Sequence, residues 1–222
     1  MHFVLIHGMG HGGWCWEQTQ ADLEAQGHTV QAPDLPLTSL EDDVALVTGL
    51  LEARSEPCVL VGHSYGGLVI AGASADRSDV RALVYVAAVL VSKDVLFTEL
   101  SSHYPTDLAT VLTVGADGQV HVDPESAAAC FYQCCPDDVA ARAVPRLRPS
   151  SVASVGAPAI AEPSTTIPST YVVCLQDKAI APALQQEMAQ RATRAVELDT
   201  DHSPFYSEPE ALRDVLLGAA SA

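Results

Sequence analysis

Six short apolar runs, at positions 2–7, 29–33, 58–62, 81–88, 170–175 and 194–198, constrain this chain more than any other feature. They are rich in Val, Leu and Ile and mostly continuous rather than alternating with polar residues. A strand with one wet face alternates; a strand covered on both faces does not. Helical patterns separate the runs. Residues 15–26 form one, ending at Gly27. Residues 40–54 form another, with Leu40, Val44, Val47 and Leu51 at helical spacing and Ser39 with Asp42 resembling a capping box. A third starts after Ser64, and residues 183–192 and 208–218 complete the set. Strand and helix in alternation predict an α/β fold, a parallel sheet with helices on both faces and right-handed crossovers.

One stretch breaks the rhythm. Residues 93–166 hold no parallel-strand run. A hairpin is predicted between Val111 and Val122 around Asp117-Gly118, then short helical pieces near 125–132 and 137–144. That is too long for a plain loop. It predicts a lid over 93–166, inserted into a core made of 1–92 and 167–222.

The chain carries a net charge of −17 with 11 Lys and Arg and no basic cluster, which argues against a nucleic-acid surface. No apolar stretch is long enough to span a bilayer. Met1-His2 leads straight into Phe3-Val4-Leu5-Ile6 with no basic region first, so a cytoplasmic location is the expectation. Among the six cysteines, Cys58 and Cys174 lie beside or inside apolar runs and read as core; Cys130, Cys134 and Cys135 lack zinc-site spacing and read as free thiols.

Gly62-His63-Ser64-Tyr65-Gly66 is a G-x-S-x-G between the run Cys58-Val59-Leu60-Val61 and a small-residue helix. That strand–turn–helix context is what a nucleophile elbow requires. A serine hydroxyl needs a base. Of the eight histidines, only His202 follows the final apolar run, in a loop near the C-terminus. The acid is expected between the two in chain order, after a strand. Asp177, after Tyr171-Val172-Val173-Cys174, fits, with Asp199 and Asp201 as rivals. The oxyanion donors are expected to be the backbone N–H groups of Tyr65 and of Met9, in the loop His7-Gly8-Met9-Gly10-His11-Gly12-Gly13-Trp14. Gly8 leaves the backbone open to substrate. The expected substrate-binding residues are Gly8, His11, Trp14, Phe131 and Tyr132. Tyr65, Leu90, Phe97, Tyr104 and Tyr206 are further candidates for a pocket under the lid.

His7-Gly8-Met9-Gly10-His11-Gly12-Gly13-Trp14, Gly62-His63-Ser64-Tyr65-Gly66-Gly67, Gln176-Asp177-Lys178 and Asp201-His202-Ser203 resemble the methylesterase and hydroxynitrile lyase branch of the α/β-hydrolases. Phe131-Tyr132 and Leu147-Arg148-Pro149 look like landmarks of the same branch. The resemblance implies an α/β-hydrolase fold with six parallel strands in the order 2-1-3-4-5-6 and a triad of Ser64, Asp177 and His202. It also implies no metal and no cofactor. The expected activity is hydrolysis of small to medium apolar carboxylic esters, methyl esters included, through an acyl-enzyme. The expected partner is that small ester, with no nucleic acid and no membrane, and a homodimer left open. Three alternatives stand beside it: a thioesterase or lactonase, a hydroxynitrile lyase, and a silent ligand-binding homologue. The lyases resemble this chain but carry threonine or asparagine where Gly8 stands, and the threonine type has lysine where Ser203 stands.

Overall fold

The computed structural model describes residues 1–54 and 56–221. Along the first part of the chain β1 (His2–Ile6), α1 (Glu17–Ala25), β2 (Thr29–Gln31), α2 (Leu40–Glu52), β3 (Cys58–His63), α3 (Gly66–Ala73) and β4 (Val80–Val86) alternate. The next segment carries α4 (Phe97–Ser101), α5 (Leu108–Val111), β5 (Leu112–Val114), β6 (Gln119–Val122), α6 (Pro124–Phe131), α7 (Asp137–Ala143), β7 (Ser150–Ser151) and α8 (Val152–Val155). Then follow β8 (Ser169–Cys174), α9 (Pro182–Ala189), β9 (Arg194–Leu198), α10 (Pro204–Ser207) and α11 (Pro209–Ala220). The main sheet is parallel, six-stranded and ordered β2-β1-β3-β4-β8-β9, the order that the family resemblance implies.

The continuous apolar runs follow from two covered faces. Successive side chains of a strand point to opposite faces. In β1, Phe3 and Leu5 join one core with Leu23 of α1 and Leu212 and Leu216 of α11. Val4 and Ile6 join the other, with Leu40 and Val47 of α2, Val69 and Ile70 of α3 and Leu184 of α9. β3 splits the same way, Val59 and Val61 to the first and Leu60 to the second. Each fully buried Val or Leu contributes about 1.5–3 kcal/mol over its exposed state. Every residue of β1, β3 and β8 is buried, whereas the edge strand β9 is largely exposed. The Ser39 side chain caps α2, accepting from Asp42 N–H.

The segment between β4 and β8 folds as expected in outline. The hairpin is β5 with β6, antiparallel, with Gly118 at φ +74° in its turn. β7 adds a third strand that the sequence pattern did not announce. The segment has its own small apolar cluster, including Val111, Ala127, Cys130, Phe131 and Ala143. It is bound to the core by polar contacts: Gly10 N–H donates to Ser150 Oγ at 3.0 Å and Ser151 N–H to Leu37 O at 2.9 Å. No helix among the described residues is long and apolar enough to cross a membrane.

Candidate active site

Four loops meet at the C-terminal edge of the sheet, after β1, β3, β8 and β9. Ser64 sits between β3 and α3 at φ +51°, a left-handed conformation that a side chain disfavours. The strain is held by hydrogen bonds. Ser64 N–H donates to Val86 O at 3.1 Å, and Ser64 C=O accepts from Gly67 N–H at 3.1 Å and from Val89 N–H at 2.9 Å. The turn is tight because α3 starts against the end of β1: a Cβ on Gly66 would lie 2.8 Å from Ile6 O. Gly8 backs onto the serine itself. A Cβ there would come within 2.8 Å of Ser64 Cβ and 3.0 Å of His63 Nδ1.

His202 follows β9. Its Nδ1 lies 2.7 Å from Asp177 Oδ2, with both side chains buried. The carboxylate is an acceptor saturated by donors. Ala179 N–H and Ile180 N–H donate to Oδ1 at 2.7 and 2.9 Å, and Gln185 Nε2 donates to Oδ2 at 2.7 Å. With Asp177 only able to accept, Nδ1 carries the proton and Nε2 keeps its lone pair. Gln185 escaped the sequence reading. It is a fully buried polar residue beside Leu184 on the inward face of α9, and its Oε1 also accepts from Cys174 N–H at 2.9 Å.

The rivals of Asp177 have other work. Asp199 Oδ1 accepts from Gln176 Nε2 at 2.9 Å. Asp201 is fully buried and turns away from the imidazole. Its Oδ2 accepts from Cys134 N–H at 2.7 Å and from Cys135 Sγ at 3.6 Å, and its Oδ1 from Ser203 N–H at 3.0 Å and Ser207 Oγ at 2.8 Å. It therefore clips the turn after α6 to the His202 loop. Gln133 Nε2 makes a matching clip to Gln176 O, at 2.6 Å, on the Asp177 loop. The six cysteines are all free thiols, with Cys58 and Cys174 buried in the core.

Ser64 is half-buried at the mouth of a cavity of about 120 Å³ that Met9 and Tyr65 also line. Leu68, Val89 and Ile180 form its core side, and Phe97, Leu108 and Leu112 cover it from the inserted segment. No charged side chain lines it. The backbone N–H groups of Met9 and Tyr65 have no acceptor among the described residues. The Tyr65 hydroxyl is engaged elsewhere, donating to buried Asp43 Oδ2 at 2.7 Å while Asp43 Oδ1 accepts from Leu37 N–H at 2.8 Å.

The expected substrate-binding set lies apart from this cavity. His11, Trp14, Phe131 and Tyr132 do not line it, and Gly8 lies behind Ser64 rather than in its wall. His11 is buried, with Nδ1 3.0 Å from Met9 O and Nε2 2.8 Å from Tyr132 OH. Burial pushes its pKa down to about 3, so it is a neutral packing residue. Trp14 stacks on His11 and carries the Arg146 guanidinium 4.7 Å above its ring. Phe131 is buried with its ring 5.8 Å from that of His202. The apolar area of these aromatics fills the space beside His202 instead of the cavity wall. Of the further candidates, Tyr65 and Phe97 line the cavity; Tyr104 is turned outward, donating to Glu187 at 2.6 Å. His63 is fully buried, its Nε2 donating to His202 O at 2.8 Å; burial holds its pKa well below the usual imidazole value.

The alpha/beta hydrolase family model matches residues 3–215. Methylesterase 18 of Arabidopsis thaliana is 32% identical over 100% of this chain and 97% of its own length. Salicylic acid-binding protein 2 of Nicotiana tabacum is 30% identical, covering 99% of this chain and 96% of itself. Among solved structures, a pyrethroid hydrolase from Sphingobium faniae superposes with a TM-score of 0.85 at 25% identity, covering 100% of this chain and 98% of that one. With a family model matching residues 3–215 and curated relatives of 30–32% identity over nearly the whole chain, the chain belongs to the alpha/beta hydrolase family, in the branch that holds the methylesterases.

Proposed function

We propose that this protein is a serine carboxylic-ester hydrolase acting through an acyl-enzyme, with Ser64 as nucleophile, His202 as base and Asp177 as its orienting acid. The observation that carries the reading is the mouth of the cavity. There Ser64 shares a wall with Met9 and Tyr65, whose N–H groups lack acceptors. Ser64 Oγ attacks the ester carbonyl carbon while His202 Nε2 takes the hydroxyl proton. The carbonyl oxygen becomes an oxyanion held by the N–H groups of Met9 and Tyr65. Collapse breaks the bond to the alcohol, which leaves with the proton from His202. Water repeats the sequence on the acyl-enzyme and releases the acid. Throughout, Asp177 keeps the proton on Nδ1 and stabilises the imidazolium.

The substrate follows from the lining. An uncharged, apolar cavity of about 120 Å³ suits a small acyl group without a second charge. The inserted segment acts as the lid over that group through Phe97, Leu108 and Leu112. Methyl esters fit the methylesterase names of the relatives. Against cyanohydrin cleavage, Gly8 offers no side-chain donor beside Ser64, and Ser203 carries no charge. A homodimer remains a proposal whose check is sedimentation, and a cytoplasmic location one whose check is fractionation.

The test is hydrolysis of short-chain p-nitrophenyl and methyl esters, cyanide release from mandelonitrile, and labelling with a fluorophosphonate. The expected result is ester turnover, no cyanide above background, and a single label on Ser64. Ser64→Ala should lower kcat by about 10⁶, the scale of nucleophile removal in a triad enzyme. A label on another residue, or an alanine variant with substantial turnover, overturns the reading.

A further inference from the structure

One arginine of the inserted segment has only uncharged acceptors. Arg148 Nε donates to His11 O at 2.8 Å, and its Nη2 donates to Leu35 O at 2.7 Å and to His7 Nε2 at 3.2 Å. Its backbone N–H donates to Gly10 O at 2.8 Å. All but Leu35 lie in the loop after β1, the one that carries Met9. Arg148 is half-buried and grips this loop from outside, on the side away from the cavity lining.

His7 is the point at which that grip turns inward. It is fully buried. Leu35 N–H donates to its Nε2 at 2.9 Å, and Arg148 donates to the same atom. A backbone amide and a guanidinium can only donate, so Nε2 bears the lone pair and the ring proton is on Nδ1. Burial pushes the His7 pKa down to about 4, which keeps the ring in this neutral form at ordinary pH. Nδ1–H then donates to Gly8 O at 2.8 Å, and His11 N–H donates to the same oxygen at 3.3 Å. That carbonyl belongs to the peptide whose N–H is Met9's. A carbonyl that accepts hydrogen bonds draws electron density from its amide nitrogen, and the N–H becomes a stronger donor.

We propose that Arg148 and His7 are positioning residues for the oxyanion hole. Arg148 joins Leu35 N–H in fixing the His7 tautomer and holds the loop in place, His7 aims and polarises the Gly8–Met9 peptide, and Met9 N–H meets the oxyanion. Neither side chain touches substrate. The proposal rests on the esterase reading above, since it needs an oxyanion at Met9.

The test compares the unmodified enzyme with Arg148→Met and Arg148→Lys in kcat, KM and inhibition by a trifluoromethyl ketone. That inhibitor forms a tetrahedral adduct with a charged oxygen; the product acid serves as a control ligand. Deleting one oxyanion donor outright costs about 10²–10³ in kcat, so weakening one should cost about tenfold. Arg148→Met is expected to lower kcat about tenfold with KM within about twofold, and to weaken the ketone by the same factor while leaving the product acid unaffected. Arg148→Lys keeps a donor for His7 Nε2 but cannot reach three acceptors, and should lose about threefold in kcat, in line with a partial donor loss. A structural role alone would lower the yield of folded, fluorophosphonate-titratable enzyme without changing kcat per active site. That result, or a kcat loss with unchanged ketone affinity, overturns the proposal. If Arg148→Met does not fold, Arg148→Lys decides: wild-type kcat and ketone affinity overturn it. Failure of the unmodified enzyme to turn over esters or to label at Ser64 instead overturns the esterase reading.

Discussion

The loops at the edge of the parallel sheet and the segment inserted between β4 and β8 both reach the site, and they are built differently. Ser64 follows a strand buried at every residue, and its backbone is held by three hydrogen bonds from neighbouring chain. Asp177 is fixed by two amides and Gln185 within its own loop and α9. The inserted segment has a cluster weighted towards alanine, packs Phe97, Leu100 and Ala159 against the main core, and is tied to the loops by polar clips such as Cys134 to Asp201 and Ser150 to Gly10. Ser64 and Asp177 thus follow strands buried at every residue, whereas His202 follows the largely exposed β9. Phe97, Leu108 and Leu112, which cover the cavity at Ser64, stand on short elements.

The largest separation should come from the acid. Asp177→Asn is expected to lower kcat by about 10⁴, as loss of the right imidazole tautomer does in a triad. Asp199→Asn should leave kcat within about twofold. Asp201→Asn sits between, because an amide cannot accept from both Cys134 and Ser203 as a carboxylate does. It should cost about 1–3 kcal/mol of stability, the penalty for an unsatisfied buried donor, read from the urea midpoint. Equal effects at all three positions would mean that the carboxylates share the role.

Gly8→Thr comes next. The new Cβ would meet Ser64 Cβ at 2.8 Å, so either the serine or the Met9 amide must move. The expected loss in kcat is about 10²–10³, the scale of one oxyanion donor, with the fold intact by circular dichroism. An active threonine variant would show that the loop after β1 is more pliant than the elbow.

Phe97→Ala should act on choice rather than on chemistry. The ratio of kcat/KM for a longer over a shorter acyl ester is expected to rise about tenfold, the range a pocket gains or loses per apolar contact. Phe131→Ala, behind His202, should instead lower kcat/KM alike for all esters. A shift in acyl preference from Phe131→Ala and none from Phe97→Ala would reverse the division between the two regions.

The smallest effect is on stability against pH. Burial lowers the pKa values of His7 and His11 to about 4 and about 3, below the unfolded value near 6.5. Between these values the unfolded chain binds more protons than the native one, so stability rises with pH there. The contribution is complete above about 6.5 and drains away as pH falls towards 4. Thermal melts from pH 7.5 to 4.5 should show a declining Tm whose slope is reduced in His11→Gln. An unchanged slope would remove His11 from the account.

What the sequence made legible follows the same division. Continuous apolar runs announced the strands because both faces of the sheet are covered, and Ser64, Asp177 and His202 each follow such a run. The hairpin of the insertion was legible through Asp117-Gly118, a local turn signal. Gln185 and Asp43 were not, and Arg148 stood out only as part of Leu147-Arg148-Pro149, since their partners are long-range or lie on the hidden side of a helix. The aromatics were read as cavity wall because size is visible in a sequence and direction is not. Tyr132 and His11 satisfy each other across 121 positions of chain.

The clips from the insertion to three separate loops also bear on how the protein comes to be folded. Arg148 ties the loop after β1, while the turn after α6 ties the loops after β8 and β9 through Gln133 and Cys134. These clips join loops whose ends the paired strands position, so they close after the sheet has formed. During refolding, the far-ultraviolet signal of the sheet and helices should therefore return before the capacity to react with a fluorophosphonate. On the proposed reading, a chain halted before those loops are tied would be globular and inert.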